Sequence, residues 1–318
     1  MSQNTLLGER ALRRLRLRDL RILTTVAQAG SMGKAAAQLA LSQPAVSKAI
    51  AGMEATLGVG LLDRTARGVE PTLYGRALIK WAAAAFDDLR QGVHEIELLN
   101  DPDAGEVRVG SHEVMSAALL PAVIDRLSRR HPRLVFTVSQ AATIPALYGD
   151  LRERRVDFIF GRMISAVAPD DLNAEVLFGD PLVIVAGAHS KWVRRRTIDL
   201  AELVDEPWCL TPEELPVAPF VAKAFRMRGL NPPRVVVRSN SVHLWYALMH
   251  TGRFVAFTPA SVVRLSGKRL GLRQLPIRFS VQPGPVGIVT LKGRTISPVA
   301  QRFIDCARDV CKPLAKYD

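Results

Sequence analysis

Residues 29–75 read AGSMGKAAAQLALSQPAVSKAIAGMEATLGVGLLDRTARGVEPTLYG, and their spacing decides the fold of the first quarter of the chain. Gly30-Ser31 joins a C-cap to a new N-cap, closing a helix over 17–29 that carries Leu20, Leu23 and Ala27 at helical intervals. Residues 32–40 predict a short Ala-rich helix, and Leu41-Ser42 separates it from a third. That third helix has Ser42 as N-cap and Pro44 in its first turn, where a missing N–H costs nothing. Its apolar stripe, Val46, Ile50, Met53 and Leu57, is spaced 4, 3 and 4, so one face is buried while Gln43, Ser47 and Lys48 point elsewhere. Two short extended stretches around Thr65-Ala66-Arg67-Gly68 predict a β-wing.

Working outward, Thr72 caps a long helix reaching about Leu99, with Leu78, Trp81, Ala85, Leu89, Val93 and Ile96 along one side. An apolar ridge of that length beside a small domain needs a partner, and a second copy of the chain is the simplest one. Residues 100–105, NDPDAG, break the helix as a hinge. From Glu106 strands and helices alternate: strands over 107–110, 135–139 and 158–161 with helices over 117–130 and 145–154 predict a parallel βαβαβ run. Strands over 181–187, 208–210, 235–238 and 255–257, with helices over 217–228 and 242–250, imply a second α/β lobe. A last strand, 286–291, and a helix, 298–313, complete the chain.

Composition agrees with this division. A length of 318 residues exceeds one ordinary domain, and 48% apolar with 23% charged residues is the range of a folded globular chain. The net charge of +13 is uneven: residues 1–80 hold twelve Lys or Arg against five Asp or Glu, which favours polyanions because phosphate binding releases counterions. Cys209, Cys306 and Cys311 form no Cys-x-x-Cys pair, so neither a disulfide framework nor a structural metal site is expected, and no cofactor motif stands out. The arginine-rich start has no apolar stretch of a secretory signal, and no run is long enough to span a membrane, so a cytoplasmic protein without a membrane partner is expected.

Two short helices joined by a tight turn, the second with a small polar N-terminal face, form a helix-turn-helix. A major groove admits one helix, whose first turns reach base edges if their side chains are small or hydrogen-bonding. Gln43 suits adenine, Ser47 a base or phosphate, and Lys48 guanine or phosphate, while Pro44 and Ala45 permit close approach and contact with a thymine methyl. Arg64 and Arg67 on the wing suit flanking phosphates.

The run from Leu20 to Gly75 resembles the N-terminal domain of LysR-type transcriptional regulators. The resemblance is carried by Ala35-Ala36, Ser42-Gln43-Pro44-Ala45, Ser47, Lys48, Glu54, Leu57-Gly58, Arg64, Arg67-Gly68, Thr72 and Gly75. Met32-Gly33 stands where the family commonly has Phe-Thr before a basic residue, here Lys34, and Leu62, Pro71 and Tyr74 also depart from the usual residues. Arg155-Val156-Asp157-Phe158-Ile159-Phe160-Gly161 and Leu203-Val204-Asp205-Glu206-Pro207-Trp208 fit the family's C-terminal domain. The resemblance implies an α+β multidomain chain: a winged helix-turn-helix over 1–75, a linker and dimerisation helix with hinge over 76–105, and a two-lobed, periplasmic-binding-protein-like effector domain over 106–318. Lobe 1 would take about 106–180 and 281–318, and lobe 2 about 181–280. It further implies a homodimer or homotetramer on double-stranded promoter DNA, with Lys34, Ser42, Gln43, Pro44, Ala45, Ser47, Lys48, Arg64 and Arg67 at the DNA, a small-molecule co-inducer, and RNA polymerase as a further partner.

Ligands of two-lobed α/β folds sit at strand carboxyl ends beside helix N-termini. Those positions hold Ser111, His112 and Glu113, then Gln140 to Thr143, then Gly161-Arg162, with Thr211 and Thr258 in the second lobe. Ser111, His112, Thr143, Arg162, Thr211 and Thr258 are the candidate effector residues, and Arg162 would pair with an organic acid. Ser111 and Thr143 also suit N-capping. Other function classes fit poorly. Gly58-Val59-Gly60 lacks the third glycine of a dinucleotide loop, Gly110-Ser111-His112 lacks the setting of a nucleophile elbow, and His112-Glu113 has no second histidine. An enzyme is therefore not expected. A thiol sensor would need a reactive cysteine, yet Cys209 falls in a buried strand.

Overall fold

The computed structural model describes residues 14–65, 68–101, 103–163, 168–277 and 281–315. The chain packs as two units that meet in sequence at Val93 and His94.

In the first unit, α1 (Leu17–Ala29), α2 (Met32–Gln38) and α3 (Gln43–Leu57) close over one core. Leu23, Val26, Ala35, Val46 and Ile50 are buried there together with Leu61. Gly30 ends α1 in the left-handed conformation, its N–H donating to Val26 O, and Gly58 ends α3 in the same way. Ser42 Oγ accepts from Ala45 N at 3.4 Å, whereas Ser31, expected as an N-cap, occupies the cap position of α2 without a side-chain bond.

The wing pairs β1 (Leu62–Thr65) with β2 (Gly68–Pro71) antiparallel, from Leu62 opposite Pro71 to Thr65 opposite Gly68. Glu54 accepts from Leu61 N at 2.8 Å, and Val69 N donates to Gly30 O at 2.9 Å, tying the wing to the helices. Gly68, at φ +132°, lies against the Gly30 carbonyl where a Cβ would collide. Thr72 Oγ donates to Gly60 O at 2.7 Å and accepts from Gly75 N at 3.0 Å, starting α4 (Leu73–Asn100). A Cβ on Gly75 would overlap the Leu61 carbonyl. Glu54, Gly68, Thr72 and Gly75 thus seat the wing and the long helix on the bundle. Along α4, Leu78 packs into this core, but Trp81, Leu89, Val93 and Ile96 are 71%, 52%, 55% and 60% exposed.

The second unit has two mixed five-stranded sheets. The first contains β3 (Ala104–His112), β4 (Arg133–Ala141), β5 (Phe158–Arg162), β6 (Leu172–Gly179) and, returning late in the chain, β12 (Pro285–Leu291), in the order β4-β3-β5-β12-β6. β3 runs parallel to β4 and β5, and β12 runs antiparallel to β5 and β6. The second contains β7 (Leu182–Gly187), β8 (Trp208–Leu210), β9 (Val235–Arg238), β10 (Val255–Pro259) and β11 (Leu272–Gln274), in the order β11-β7-β10-β8-β9. The chain therefore crosses between the sheets twice, after β6 and before β12. β6, β11 and the antiparallel pairings were not among the expected elements: β11 has only three residues, and pairing direction is set by tertiary contacts.

Short α5 (Glu113–Ser116), then α6 (Leu119–Arg130), α7 (Tyr148–Arg152), α8 (Ala218–Arg226), α9 (Val242–His250), α10 (Ala260–Leu270) and α11 (Pro298–Cys311) cover the sheets. Phe158 and Phe303 meet with ring centroids 5.2 Å apart in the first lobe, and Trp208 stacks on Phe257 at 5.0 Å in the second. Between β3 and β5, Asp157 accepts from Arg108 N at 2.8 Å, Arg108 Nη2 at 2.6 Å and Arg294 Nη2 at 2.9 Å. Arg294 also donates to Val156 O at 2.5 Å. Val156 and Asp157 of the Arg155-Val156-Asp157 string thus belong to a buried structural staple, while Arg155 is exposed.

Candidate DNA interface and effector cleft

Helical periodicity divides α3 cleanly. Val46, Ile50 and Met53 are buried, whereas Ser42, Gln43, Pro44, Ala45 and Lys48 are exposed and Ser47 is half-buried. The first two turns thus offer one amide, one hydroxyl and one ammonium from a closely approachable surface. Lys34 is exposed on the first turn of α2, and Arg16, Arg18 and Arg21 are exposed on or just before α1. Arg64 lies in β1 opposite Val69. Arg67 falls outside the described residues. Gly33, where the family carries a hydroxyl, has room for a side chain: a Cβ would come no nearer than 3.8 Å to Gln43 Oε1 and Ser31 Oγ.

The two lobes of the second unit enclose a cavity of about 350 Å³ at the ends of their strands. His112, Thr143, Arg162, Thr211 and Thr258 line it. Ser111 does not: it is fully buried, and its hydroxyl donates to Phe160 O at 2.7 Å. Strand parity explains the correction, since Ser111 shares a face of β3 with Val107 and Val109 and so points into the core. The structure adds Glu113, Asn240, Trp245 and Tyr246 to the lining.

Arg162 also departs from expectation. Its Nη1 donates to Asp180 O at 2.7 Å and Gly284 O at 2.8 Å, and Nη2 lies 3.1 Å from Asp180 Oδ2. Asp180 in turn accepts from Ser261 N at 3.0 Å and Ser261 Oγ at 2.7 Å. Asp180 therefore already neutralises the charge that Arg162 would offer a ligand carboxylate, although Nη2 itself has no hydrogen-bond partner. This guanidinium bridges both crossing segments between the lobes. One N–H at a helix start is also taken: Glu113 Oε1 accepts from Val242 N at 3.1 Å on the first turn of α9.

His112 lies beside Gly161 with Nδ1 enclosed and unbonded. Burial, reinforced by the Arg162 charge, lowers its pKa to about 3, so the imidazole is neutral at physiological pH. Because the unfolded chain binds that proton more readily, His112 should reduce stability as pH falls below about 6.5, by up to about 1.4 kcal/mol per pH unit. Urea unfolding between pH 7 and 5 should therefore show a shallower acid slope for His112→Gln than for the wild type; parallel slopes would contradict the neutral assignment.

Burial pushes the Cys209 thiol up to about 11 and Cys311 up to about 12, which removes the thiolate a peroxide sensor requires. Among the described residues no group of His, Cys, Asp and Glu is placed to hold a metal ion, and no helix is long and apolar enough to cross a membrane.

A helix-turn-helix with a wing, followed by a long helix and a two-lobed cleft domain, defines a DNA-binding regulator with an effector-binding domain. Residues 17–76 match the model of the bacterial regulatory helix-turn-helix protein, lysR family, and residues 100–312 match that of the LysR substrate binding domain. The chain belongs to the LysR family of transcriptional regulators. It is 30% identical over 298 residues to the HTH-type transcriptional regulator GbpR of Azospirillum brasilense, covering 93% of this chain and 86% of that protein. It is 24% identical over 304 residues to the transcriptional dual regulator GltC of Bacillus subtilis, covering 95% and 100%. Among solved structures, full-length CbnR in complex with its target DNA aligns over 93% of this chain and all of that one, with 22% identity and a TM-score of 0.61. These relatives are regulators and not enzymes.

Proposed function

We propose that the protein binds promoter DNA as a homodimer through the α4 ridge, pairs into a tetramer through its effector domains, and changes the arrangement of its DNA-reading helices when a small molecule fills the cleft. RNA polymerase is the further partner, and the cytoplasm is the place of action. The observation that carries this reading is the segregation along α3, with Val46, Ile50 and Met53 inward and Gln43, Ser47 and Lys48 available to base edges. Ser42, Pro44 and Ala45 allow close approach, and Lys34, Arg64 and Arg67 hold phosphates. His112, Thr143, Thr211 and Thr258 contact the effector. An organic acid, the class that Arg162 suggests from sequence, would have to displace Asp180 from that arginine or Glu113 from α9.

Gel-shift titrations of operator and random duplex at two salt concentrations test the DNA assignment. Gln43→Ala or Lys48→Ala should weaken operator binding by about 1–3 kcal/mol and narrow its advantage over random duplex. Arg64→Ala should weaken both duplexes alike and flatten the salt dependence. Equal losses on both duplexes for Gln43→Ala and Lys48→Ala would overturn the assignment of base readers.

A further inference from the structure

The cleft carries information about its ligand beyond its position, and the argument rests on the reading that this cleft is the effector site. Among the described lining residues only Glu113 and Arg162 have charged side chains. The charge of Arg162 is neutralised by Asp180, and its Nη1 donates to the Asp180 and Gly284 carbonyls, while its Nη2 is enclosed without a hydrogen-bond partner. His112 is neutral. Arg269, whose charge reaches Tyr246, donates to Ala117 O at 3.2 Å and Ser266 Oγ at 3.2 Å and does not line the cavity. The one lining charge without an ion-pair partner among the described residues is therefore the Glu113 carboxylate. Oε1 of Glu113 accepts from Val242 N, and its other oxygen has no protein donor among the described residues.

The surroundings of that carboxylate are aromatic. Trp245 and Tyr246 lie on the first turns of α9, three and four residues beyond Val242, and Phe257 comes from β10; all three line the cavity. Trp245 is only 7% exposed and its Nε1 has no hydrogen-bond partner, while the Tyr246 hydroxyl lies beside Thr258. Burial, with the Glu113 charge nearby, raises the Tyr246 pKa to about 12, so its phenol stays uncharged. A carboxylate without an ion-pair partner, set among aromatic side chains in a wall whose other polar groups are neutral or internally paired, is the chemistry that holds an organic ammonium, through an ion pair and cation–π contact. An organic anion would face uncompensated repulsion from Glu113.

We infer that the cleft is built for a small organic amine, an ammonium on an apolar body, with Glu113 as its counter-ion beside Trp245 and Tyr246. The test uses full-length protein and three probes of one shape, phenethylamine, phenethyl alcohol and phenylacetate, titrated at pH 7 by calorimetry. Phenethylamine should bind about tenfold more tightly than phenethyl alcohol, and phenylacetate more weakly than either. Glu113→Gln keeps an oxygen for Val242 N and removes only the charge; it should cut the amine-to-alcohol ratio to about threefold or less and strengthen phenylacetate. Phenylacetate binding as tightly as the amine, or a ratio unchanged in Glu113→Gln, would overturn the amine assignment while leaving the cleft as the effector site. Failure of all three probes to bind either protein would overturn both.

Discussion

Replacing Asp157 with alanine is expected to destabilise the effector domain by about 3–5 kcal/mol, the largest loss foreseen for any single side chain in this molecule. Asp157 is 8% exposed and is the shared acceptor for Arg108 N and for the guanidinium groups of Arg108 and Arg294. Arg294 is itself 8% exposed. Without the carboxylate, two arginines face each other in a poorly solvated space and one strand amide loses its acceptor, so the cost is that of an uncompensated buried charge and not of one lost contact. Thermal unfolding of the full chain should show a transition lowered by roughly 6–20 °C. Asp157→Asn, which preserves an acceptor for Arg108 N, should fall between the two. A transition within about 2 °C of the wild type for Asp157→Ala would show that the arginines find other partners.

The second large effect concerns assembly. Leu89→Glu combined with Val93→Glu places two carboxylates on the exposed ridge of α4, where the wild-type side chains are 52% and 55% exposed in the isolated chain. Folding stability should hardly change, because neither side chain contributes to its own chain's core. In the dimer both become buried charges, and sedimentation should show a monomer. Operator affinity should then drop by at least about a hundredfold, since the second half-site is no longer tethered to the first. A double variant that sediments as the wild type does would remove α4 from the interface.

Much of this architecture was legible in the chain. The segregation of α3, the Gly30 stop and the parallel pairing of the first three strands of the second unit follow from local rules of periodicity and capping, which is why the sequence-based expectations for these elements match the structure. What escaped was set by tertiary pairing. Ser111 sits at a strand end that suits a ligand, but its parity with Val107 and Val109 turns it inward; counting residues along β3 would have revealed this. Arg162 looks like an anion clamp until Asp180 arrives from the crossing segment eighteen residues later to occupy it. Trp245 and Tyr246 lie in a helix whose apolar stripe resembles ordinary core, and only the opposite lobe's Glu113, 129 residues earlier, marks that turn as a cavity wall. Glu54, Gly68, Thr72 and Gly75 belong to the motif that carries the family resemblance, and their contacts fasten the wing and the long helix to the bundle.

The bond pattern of Arg162 makes one cation the rivet of both connecting straps. The segments leaving and re-entering the first lobe hang from the same nitrogen, at Asp180 O and Gly284 O, while that side chain also forms part of the chamber wall. A guest that presses on this wall tugs both straps at once.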